Sequence, residues 1–233
     1  MFDKSPHLYD LLYEKGLGKD YPAEVATIVE RLPEARTLLD VACGTGLHLQ
    51  HLVEHFDCVG ADLDEGMLAV ARHRCPTVTL VQADMTELDL GQTFDAVICL
   101  FSSIGYVATE QRLRATAAAM ARHLNPGGTV LVEPWLTPDV WTDGHIGMLT
   151  VDEPHLKICR INRSRLEDGC TVLDFHYLVV SADGVERFTE EHRLGLFTWD
   201  QYREAFEAAG LDVSVQTEGG PMGRGLIVGR RPS

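Results

Sequence analysis

Short apolar, β-branched runs alternate with longer segments of helical spacing from residue 37 onward. This alternation is typical of βα units, which build a parallel sheet with helices on its faces. It predicts strands at residues 37–43, 58–63 and 78–82, and helices at 47–56 and 65–74. An α/β fold is the expected class.

The same rhythm continues through the middle of the chain. FDAVICLF (residues 94–101) is apolar enough for a central strand that is buried on both faces. The alanine-rich segment 109–124 predicts a helix that ends at NPGG (residues 125–128), and residues 129–133 predict a fifth strand.

The C-terminal part predicts one further helix and two strands. Thr198, with Gln201 three residues later, has the pattern of a capping box, and Gly210 lies just past the helix end. Residues 212–216 and 225–229 follow closely enough to pair as antiparallel strands.

Residues 136–197 have a different pattern, in which strand-like segments alternate with the turn signals EDG (167–169) and ADG (182–184). We interpret them as a small antiparallel β lobe inserted late in the sheet of a single domain, residues 1–233. The first thirty residues are helical in pattern and are expected to fold over the carboxyl edge of the sheet.

Composition and charge limit the functions that this chain can have. The net charge of −15 would repel a phosphate backbone, and the 20 lysines and arginines form no basic run. We therefore expect no nucleic-acid partner. The six cysteines form no CxxC pair, and no apolar segment is long enough for a signal core or a membrane span, which predicts a cytoplasmic protein without a membrane partner.

The sharpest motif is DVACGTG (residues 40–46), which runs from a strand end through a glycine turn into a helix. Such turns let the backbone approach a ligand. Asp62 ends the next strand, where a carboxylate can accept both hydroxyls of a ribose, and Asp84 follows the third strand, where it can accept from an adenine amino group. A dinucleotide dehydrogenase is the competing interpretation, but its fingerprint needs glycine where Leu49 stands.

These motifs resemble the class I S-adenosylmethionine-dependent methyltransferases, and LLDVACGTGLHL, FSSIGY, VEPW and GGPMGRGLIVG resemble more narrowly the actinobacterial N,N-dimethyltransferases of nucleotide-linked 3-amino sugars. The resemblance implies a Rossmann-like seven-stranded sheet of order 3-2-1-4-5-7-6, with the last strand antiparallel. It also implies S-adenosylmethionine as the cofactor, bound across the first two strands.

The resemblance further implies a set of cofactor-binding residues. Residues 40–46 would line the methionine portion, 62–63 the ribose and 84–85 the adenine. Two N-terminal tyrosines would close the pocket, although simple helix packing explains them equally well. The full set is Tyr13, Tyr21, Asp40, Ala42, Gly44, Gly46, Asp62, Leu63, Asp84, Met85 and Leu100.

On the acceptor side, Glu133 and Trp135 follow the fifth strand, where a sugar could rest against the indole. A nucleotide diphosphate needs positive charge, for which Arg224 is the first candidate and Arg160 the second. Arg160 lies in the lobe of residues 136–197, which we expect to contribute to the acceptor site. A solvated strand face is the alternative for Arg160, as for the nearby Arg163 and Arg165.

Methyl transfer to an amine needs a neutral nucleophile, so a nearby group could accept its proton. Tyr106 in FSSIGY is the first candidate and Glu133 the second, and neither need be essential because the amine can lose its proton to water. We expect no metal, since His48 and the histidines three and seven residues later suggest a solvated helix face.

Three other functions remain open on the sequence. They are a cofactor-binding sensor without activity, a nucleic-acid methyltransferase, and a methyltransferase for another small natural product or metabolite at nitrogen or oxygen. The assembly is also open, with a homodimer as one candidate.

Overall fold

The computed structural model describes residues 6–221 and 223–233. Residues 1–5 and 222, which the predicted single domain includes, lie outside the described residues. In chain order the elements are α1 (Pro6–Leu11), a π-helical turn (Leu12–Gly16), α2 (Tyr21–Arg31), β1 (Thr37–Val41), α3 (Leu49–Leu52), β2 (Asp57–Asp62), α4 (Glu65–Arg74), β3 (Thr79–Gln82), β4 (Phe94–Cys99), a 3-10 helix (Ser103–Val107), α5 (Glu110–Arg122), β5 (Leu124–Val132), β6 (Ile146–Glu153), β7 (Leu156–Glu167), β8 (Cys170–Ser181), β9 (Gly184–Gly195), α6 (Trp199–Ala208), β10 (Asp212–Gln216) and β11 (Leu226–Arg230).

The main sheet has seven strands in the order β10-β11-β5-β4-β1-β2-β3. Counted within this sheet alone, the order is 3-2-1-4-5-7-6, so the expected Rossmann-like topology is confirmed. β11 is antiparallel to both β5 and β10, and the remaining pairs are parallel. The strand order reverses between β1 and β4, and in such sheets ligands bind at the carboxyl ends of the strands beside this point.

β1 and β4 form the centre of the core because both of their faces are covered. Leu39 and Val97 pack in the cluster that contains Tyr202 of α6. Leu38 and Ile98 point the other way, into the cluster formed with α2. All five side chains are fully buried, so tight packing holds the strand ends that carry the motifs in fixed positions.

The predicted antiparallel lobe is present as a second sheet of four strands in the order β6-β7-β8-β9, here called the lobe sheet. β7, β8 and β9 are joined at the two turns expected from the sequence. Asp168 and Gly169 both have positive φ, 51° and 75°, between β7 and β8. β8 and β9 pair from Ser181 and Gly184 onward, so their connection is a tight hairpin.

Residues 6–19, here called the N-terminal segment, connect the two sheets. Leu8 and Leu12 pack against the lobe sheet together with Phe175. On the other side, Asp10 accepts a 2.6 Å hydrogen bond from the Thr45 hydroxyl and forms an ion pair with Arg74. The segment is thereby tied both to the lobe and to the glycine turn after β1.

Two predicted elements differ from the structure. The helix expected at residues 47–56 is regular only at Leu49–Leu52, and turns continue it. The fifth strand begins at Leu124 rather than Thr129. It includes the NPGG residues, where the pairing of β5 with β4 is irregular and its register shifts between Phe94 and Ala96. Among the described residues, no helix is both long and apolar enough to cross a bilayer.

The capping box of α6 gives a direct test of the fold. Thr198 Oγ1 accepts from Gln201 N and Gln201 Oε1 accepts from Thr198 N, on a helix that buries Tyr202 and Phe206. We expect Thr198→Ala to lower the free energy of unfolding by about 1 kcal/mol, because one N-terminal amide loses its acceptor. Urea denaturation should show a lower midpoint at an unchanged m value. Thr142→Ala, in an exposed loop, should leave the midpoint unchanged; equal midpoints for both variants would contradict the capping role.

Candidate active site

One large cavity opens where the N-terminal segment, the carboxyl ends of the main sheet and the lobe sheet meet. Its volume is about 950 Å³, at the upper end of the roughly 300–1,000 Å³ of small-molecule sites. Tyr13, Asp62, Asp84, Trp135 and Arg160 all line it. Residues predicted for the cofactor and for the acceptor therefore share one continuous space.

The glycine turn after β1 presents its backbone to this cavity. Ala42, Gly44 and Gly46 have positive φ values of 61°, 57° and 79°. No atom lies within 4 Å of where a Gly44 Cβ would be, whereas a Cβ on Gly46 would meet the Ala71 Cβ at 3.3 Å. Gly44 thus leaves room for a ligand, and Gly46 lets the turn pack against α4.

Asp62 at the end of β2 is held in place by backbone amides. Its Oδ2 accepts from Gly44 N and its Oδ1 from Asp64 N, both at 2.8 Å. Burial raises the pKa of Asp62 and these hydrogen bonds oppose that rise. Each carboxylate oxygen has a second lone pair, so the group can still accept the paired hydroxyls of a ribose.

A small recess at the end of β1 fits the amino-acid end of S-adenosylmethionine. It is lined by Tyr21, Asp40, Gly44 and Leu100, among others. Tyr21 Oη and Asp40 Oδ2 are buried polar atoms that have no hydrogen-bond partner among the described residues. Leaving such an atom unpaired costs about 1–3 kcal/mol. A hydroxyl donor beside a carboxylate acceptor complements an α-carboxylate and an α-ammonium, so the residues present fit this group.

Asp84 lies at the far end of the cofactor side, after β3. Its Oδ1 accepts from Thr86 N at 2.8 Å, and its Oδ2 accepts from Arg112 Nη2 at 2.9 Å. Burial opposes ionisation, yet the bonds from Thr86 and Arg112 lower the pKa of Asp84. The carboxylate is therefore an anchored acceptor, as predicted for an adenine amino group, and Leu63 and Met85 line the same cavity.

Trp135 and Arg224 form one wall of the acceptor side. The indole Nε1 donates to Thr171 Oγ1 at 2.8 Å, which fixes the ring to β8. The Arg224 guanidinium carbon lies 4.7 Å from the Trp135 ring centroid, and Arg224 Nη1 donates to Ser102 Oγ at 2.7 Å. Burial lowers the pKa of Arg224 and the charge of Glu133 opposes this.

Glu133 does not lie where the sequence placed it. Its side chain is fully buried and is not among the cavity-lining residues. Glu133 Oε2 accepts from Phe101 N at 2.7 Å, at a turn where Phe101 and Ser102 both have positive φ. The structure therefore does not support its expected contact with the acceptor or its expected role as a base; Glu133 holds the turn after β4.

Arg160 faces the cavity, so its alternative interpretation as part of a solvated strand face is wrong. It is 6% exposed. Its guanidinium carbon lies 4.3 Å from the Phe175 ring centroid, and Nη1 donates to Tyr13 Oη at 3.1 Å. Arg165, by contrast, pairs with Asp174 and Glu191 at the surface.

Tyr106 lies in the 3-10 helix after β4 and lines the cavity. Its Oη is 2.8 Å from Nδ1 of His192 on β9. Burial, followed by the neighbouring Tyr13 and Tyr177, raises the pKa of Tyr106 well above its usual value. The phenol therefore stays protonated.

A buried polar cluster that has no signature in the sequence lies beside the amino-acid recess. Lys19 and His48 both contact the Glu24 carboxylate. Burial lowers the pKa of Lys19 and of His48. The expected solvated face is wrong for His48, which is 8% exposed. The contacts of Arg112 with Asp84 and of His192 with Tyr106 were not predicted either, because they form only through the tertiary fold.

Comparison with known proteins gives the family. A family model described as a methyltransferase domain matches residues 38–128. A dTDP-3-amino-3,4,6-trideoxy-alpha-D-glucopyranose N,N-dimethyltransferase from Streptomyces venezuelae is 45% identical over 228 residues, which are 95% of each chain. A dTDP-4-amino-2,3,4,6-tetradeoxy-D-glucose N,N-dimethyltransferase from Saccharopolyspora spinosa is 38% identical, over 96% of this chain and 91% of the relative.

Solved structures agree with these relatives. The crystal structure of Streptomyces venezuelae DesVI superimposes with a TM-score of 0.91 at 44% identity, covering 97% of this chain and 98% of that one. CalS10, an amino pentose methyltransferase from Micromonospora echinaspora solved with bound S-adenosylmethionine, gives 0.88 at 40% identity and covers 96% of both chains. The resemblance inferred from the motifs is confirmed. The chain therefore belongs to the class I S-adenosylmethionine-dependent methyltransferases, in the family that contains the dTDP-amino-sugar N,N-dimethyltransferases.

Proposed function

We propose that this enzyme methylates the amino group of a dTDP-linked amino sugar. The observation that carries this proposal is the pair of buried guanidinium groups, Arg160 and Arg224, on the acceptor side of the cavity. Among the described residues neither has a carboxylate within ion-pair distance.

Two such cations in an acidic protein are best explained by an anionic ligand. Removing a cation from water costs free energy that a charged partner must offset. Stacking on Phe175 and Trp135 gives each guanidinium partial compensation, and the charge of Glu133 adds to it at Arg224. Guanidinium groups bind phosphate oxygens in a bidentate manner, so a diphosphate would supply the missing charge. The substrates in the names of the relatives carry this group.

The other cavity residues suit methyl transfer to an amine. S-adenosylmethionine supplies a methyl group already activated on a sulfonium, so the protein mainly has to align the acceptor. Positioning of this kind can contribute up to about 7–11 kcal/mol. We assign the recess around Asp40 and the Asp62 carboxylate to the cofactor, and the lobe sheet with Trp135 to the sugar. Tyr106 would accept a hydrogen bond from the amine.

Substitution of the two arginines tests the diphosphate assignment. We expect Arg160→Met and Arg224→Met each to weaken thymidine diphosphate binding about 10-fold or more, because a charge-assisted hydrogen bond contributes roughly 1.5–3 kcal/mol. Isothermal titration should be done with S-adenosylhomocysteine first and thymidine diphosphate second in the same cell. The affinity for S-adenosylhomocysteine should not change.

Arg163→Met is the matched control, since Arg163 lies on the same strand but is exposed. It should bind both ligands like the wild type. If the wild-type protein binds S-adenosylhomocysteine but not thymidine diphosphate, the methyltransferase assignment stands and a nucleotide sugar is ruled out as the substrate. Another small natural product would then be the acceptor.

Asp40 gives a separate prediction on the cofactor side. Burial, reinforced by Asp62, raises the pKa of Asp40, whereas a ligand ammonium favours the ionised carboxylate. The affinity for S-adenosylhomocysteine should therefore rise with pH until Asp40 is ionised even without ligand. On acidification, the affinity should begin to fall at a pH above the range in which an ordinary aspartate titrates.

Asp40→Asn should weaken S-adenosylhomocysteine binding about 10-fold or more and flatten this pH dependence, because the amide carries no charge at any pH. Asp57→Asn, at the exposed start of β2, is the control and should keep the wild-type profile. The assignment of Asp40 fails if its asparagine variant binds with wild-type affinity throughout.

A further inference from the structure

We infer, on the basis of the proposed function, that His192 and Glu190 act through Tyr106 to remove the proton from the acceptor amine. Tyr106 is the group that would touch the substrate. His192 and Glu190 lie behind it in the lobe sheet and are positioning residues.

The three side chains form a row that leads away from the cavity wall. Tyr106 Oη lies 2.8 Å from His192 Nδ1, and His192 Nε2 lies 3.6 Å from Glu190 Oε2. Residues 190 and 192 are alternate positions of β9, so both side chains lie on one face of the sheet. That face is the one that carries Phe175, whose ring centroid is 4.9 Å from that of His192.

The surroundings determine which way the proton moves. Burial opposes ionisation of the Tyr106 phenol, as do the neighbouring Tyr13, Tyr177 and Glu190, whereas Arg160 favours it. Tyr9 interacts with Tyr106 in the same unfavourable sense. In the tautomer that this inference requires, the neutral phenol donates its hydrogen to His192 Nδ1. The ring hydrogen then lies on Nε2, toward Glu190, and a lone pair of Tyr106 Oη remains available to an amine in the cavity.

The proton transfer balances over these groups. An acceptor ammonium breaks its N–H bond as an O–H bond forms at Tyr106, while the original hydroxyl proton moves to His192 Nδ1. The resulting imidazolium is stabilised by the Glu190 carboxylate 3.6 Å away. The amine keeps the electron pair with which it attacks the methyl carbon, and the proton leaves to solvent after the transfer.

Burial argues against a purely structural role for this pair. His192 is 1% exposed and Glu190 is 8% exposed. Burying a carboxylate costs desolvation free energy, and apolar side chains would pack equally well at this position. A buried acid beside an imidazole is expected where a positive charge forms transiently on the ring.

The test is the pH dependence of methyl transfer to a dTDP-linked 3-amino sugar. His192→Asn keeps an oxygen near the Nδ1 position but cannot hold a proton, and Glu190→Gln keeps the shape without the charge. We expect kcat at about pH 6.5 to fall roughly 10-fold or more in both variants, and to approach the wild-type value at about pH 9, where the free amine is abundant in solution.

Matched variants separate this effect from misfolding. His176→Asn makes the same substitution on the exposed face of the neighbouring strand β8 and should keep the wild-type profile. In Tyr106→Phe the path is already cut, so adding His192→Asn should reduce kcat no further, since residues that act as a unit are not additive.

Three outcomes would overturn the inference. Wild-type pH profiles in the His192 and Glu190 variants would show that the pair moves no proton. A uniform loss at every pH, with a lowered melting temperature, would assign the pair a structural role only. If wild-type enzyme methylates no dTDP-linked amino sugar, the proposed function itself is wrong and the inference falls with it.

Discussion

The hydrogen bond from Gly44 N to the Asp62 carboxylate is the interaction on which the cofactor side of the site depends. It joins the turn after β1 to the end of β2 at 2.8 Å, and so sets the shape of the glycine turn and the orientation of the carboxylate together. Both strands are paired along five residues, and β1 is buried in the core. The turn therefore has little freedom to move, and its open side faces the cavity. A site preorganised in this way loses little conformational entropy when a ligand binds.

Charge is managed differently on the two sides of the cavity. Lys19, Glu24 and His48 neutralise one another within a closed cluster beside the amino-acid recess. Arg160 and Arg224 instead rest on aromatic rings and hydroxyls. Because aromatic faces compensate a guanidinium only in part, both groups can still attract an anion, although the net charge of the chain is −15. This contrast would allow an acidic protein to bind the proposed anionic acceptor.

Much of the fold could be predicted from local pattern. The two-faced apolar runs of β1 and β4, the capping box of α6 and the glycine-containing turns of the lobe sheet each have a sequence signature that acts over a few residues. Asp62 and Asp84 could be predicted too, since Asp62 ends β2, Asp84 lies two residues past β3, and the carboxyl ends of parallel strands meet at one edge.

The remaining features depend on contacts between segments that are far apart in the chain. The alternation in β7 indicates two faces but not which of them the N-terminal segment covers, so the burial of Arg160 could not be known. Glu133 follows β5 as expected, but its direction is set by an amide on a neighbouring turn. The Tyr106–His192 contact spans 86 residues and has no local signature.

The most direct test of the account is mass spectrometry of a dTDP-linked 3-amino sugar incubated with the enzyme and S-adenosylmethionine. The account predicts that the sugar nucleotide gains one or two methyl groups, located on the amino nitrogen by fragmentation, together with an equal amount of S-adenosylhomocysteine per methyl group. An unchanged sugar nucleotide, or a methyl group on oxygen, would contradict it.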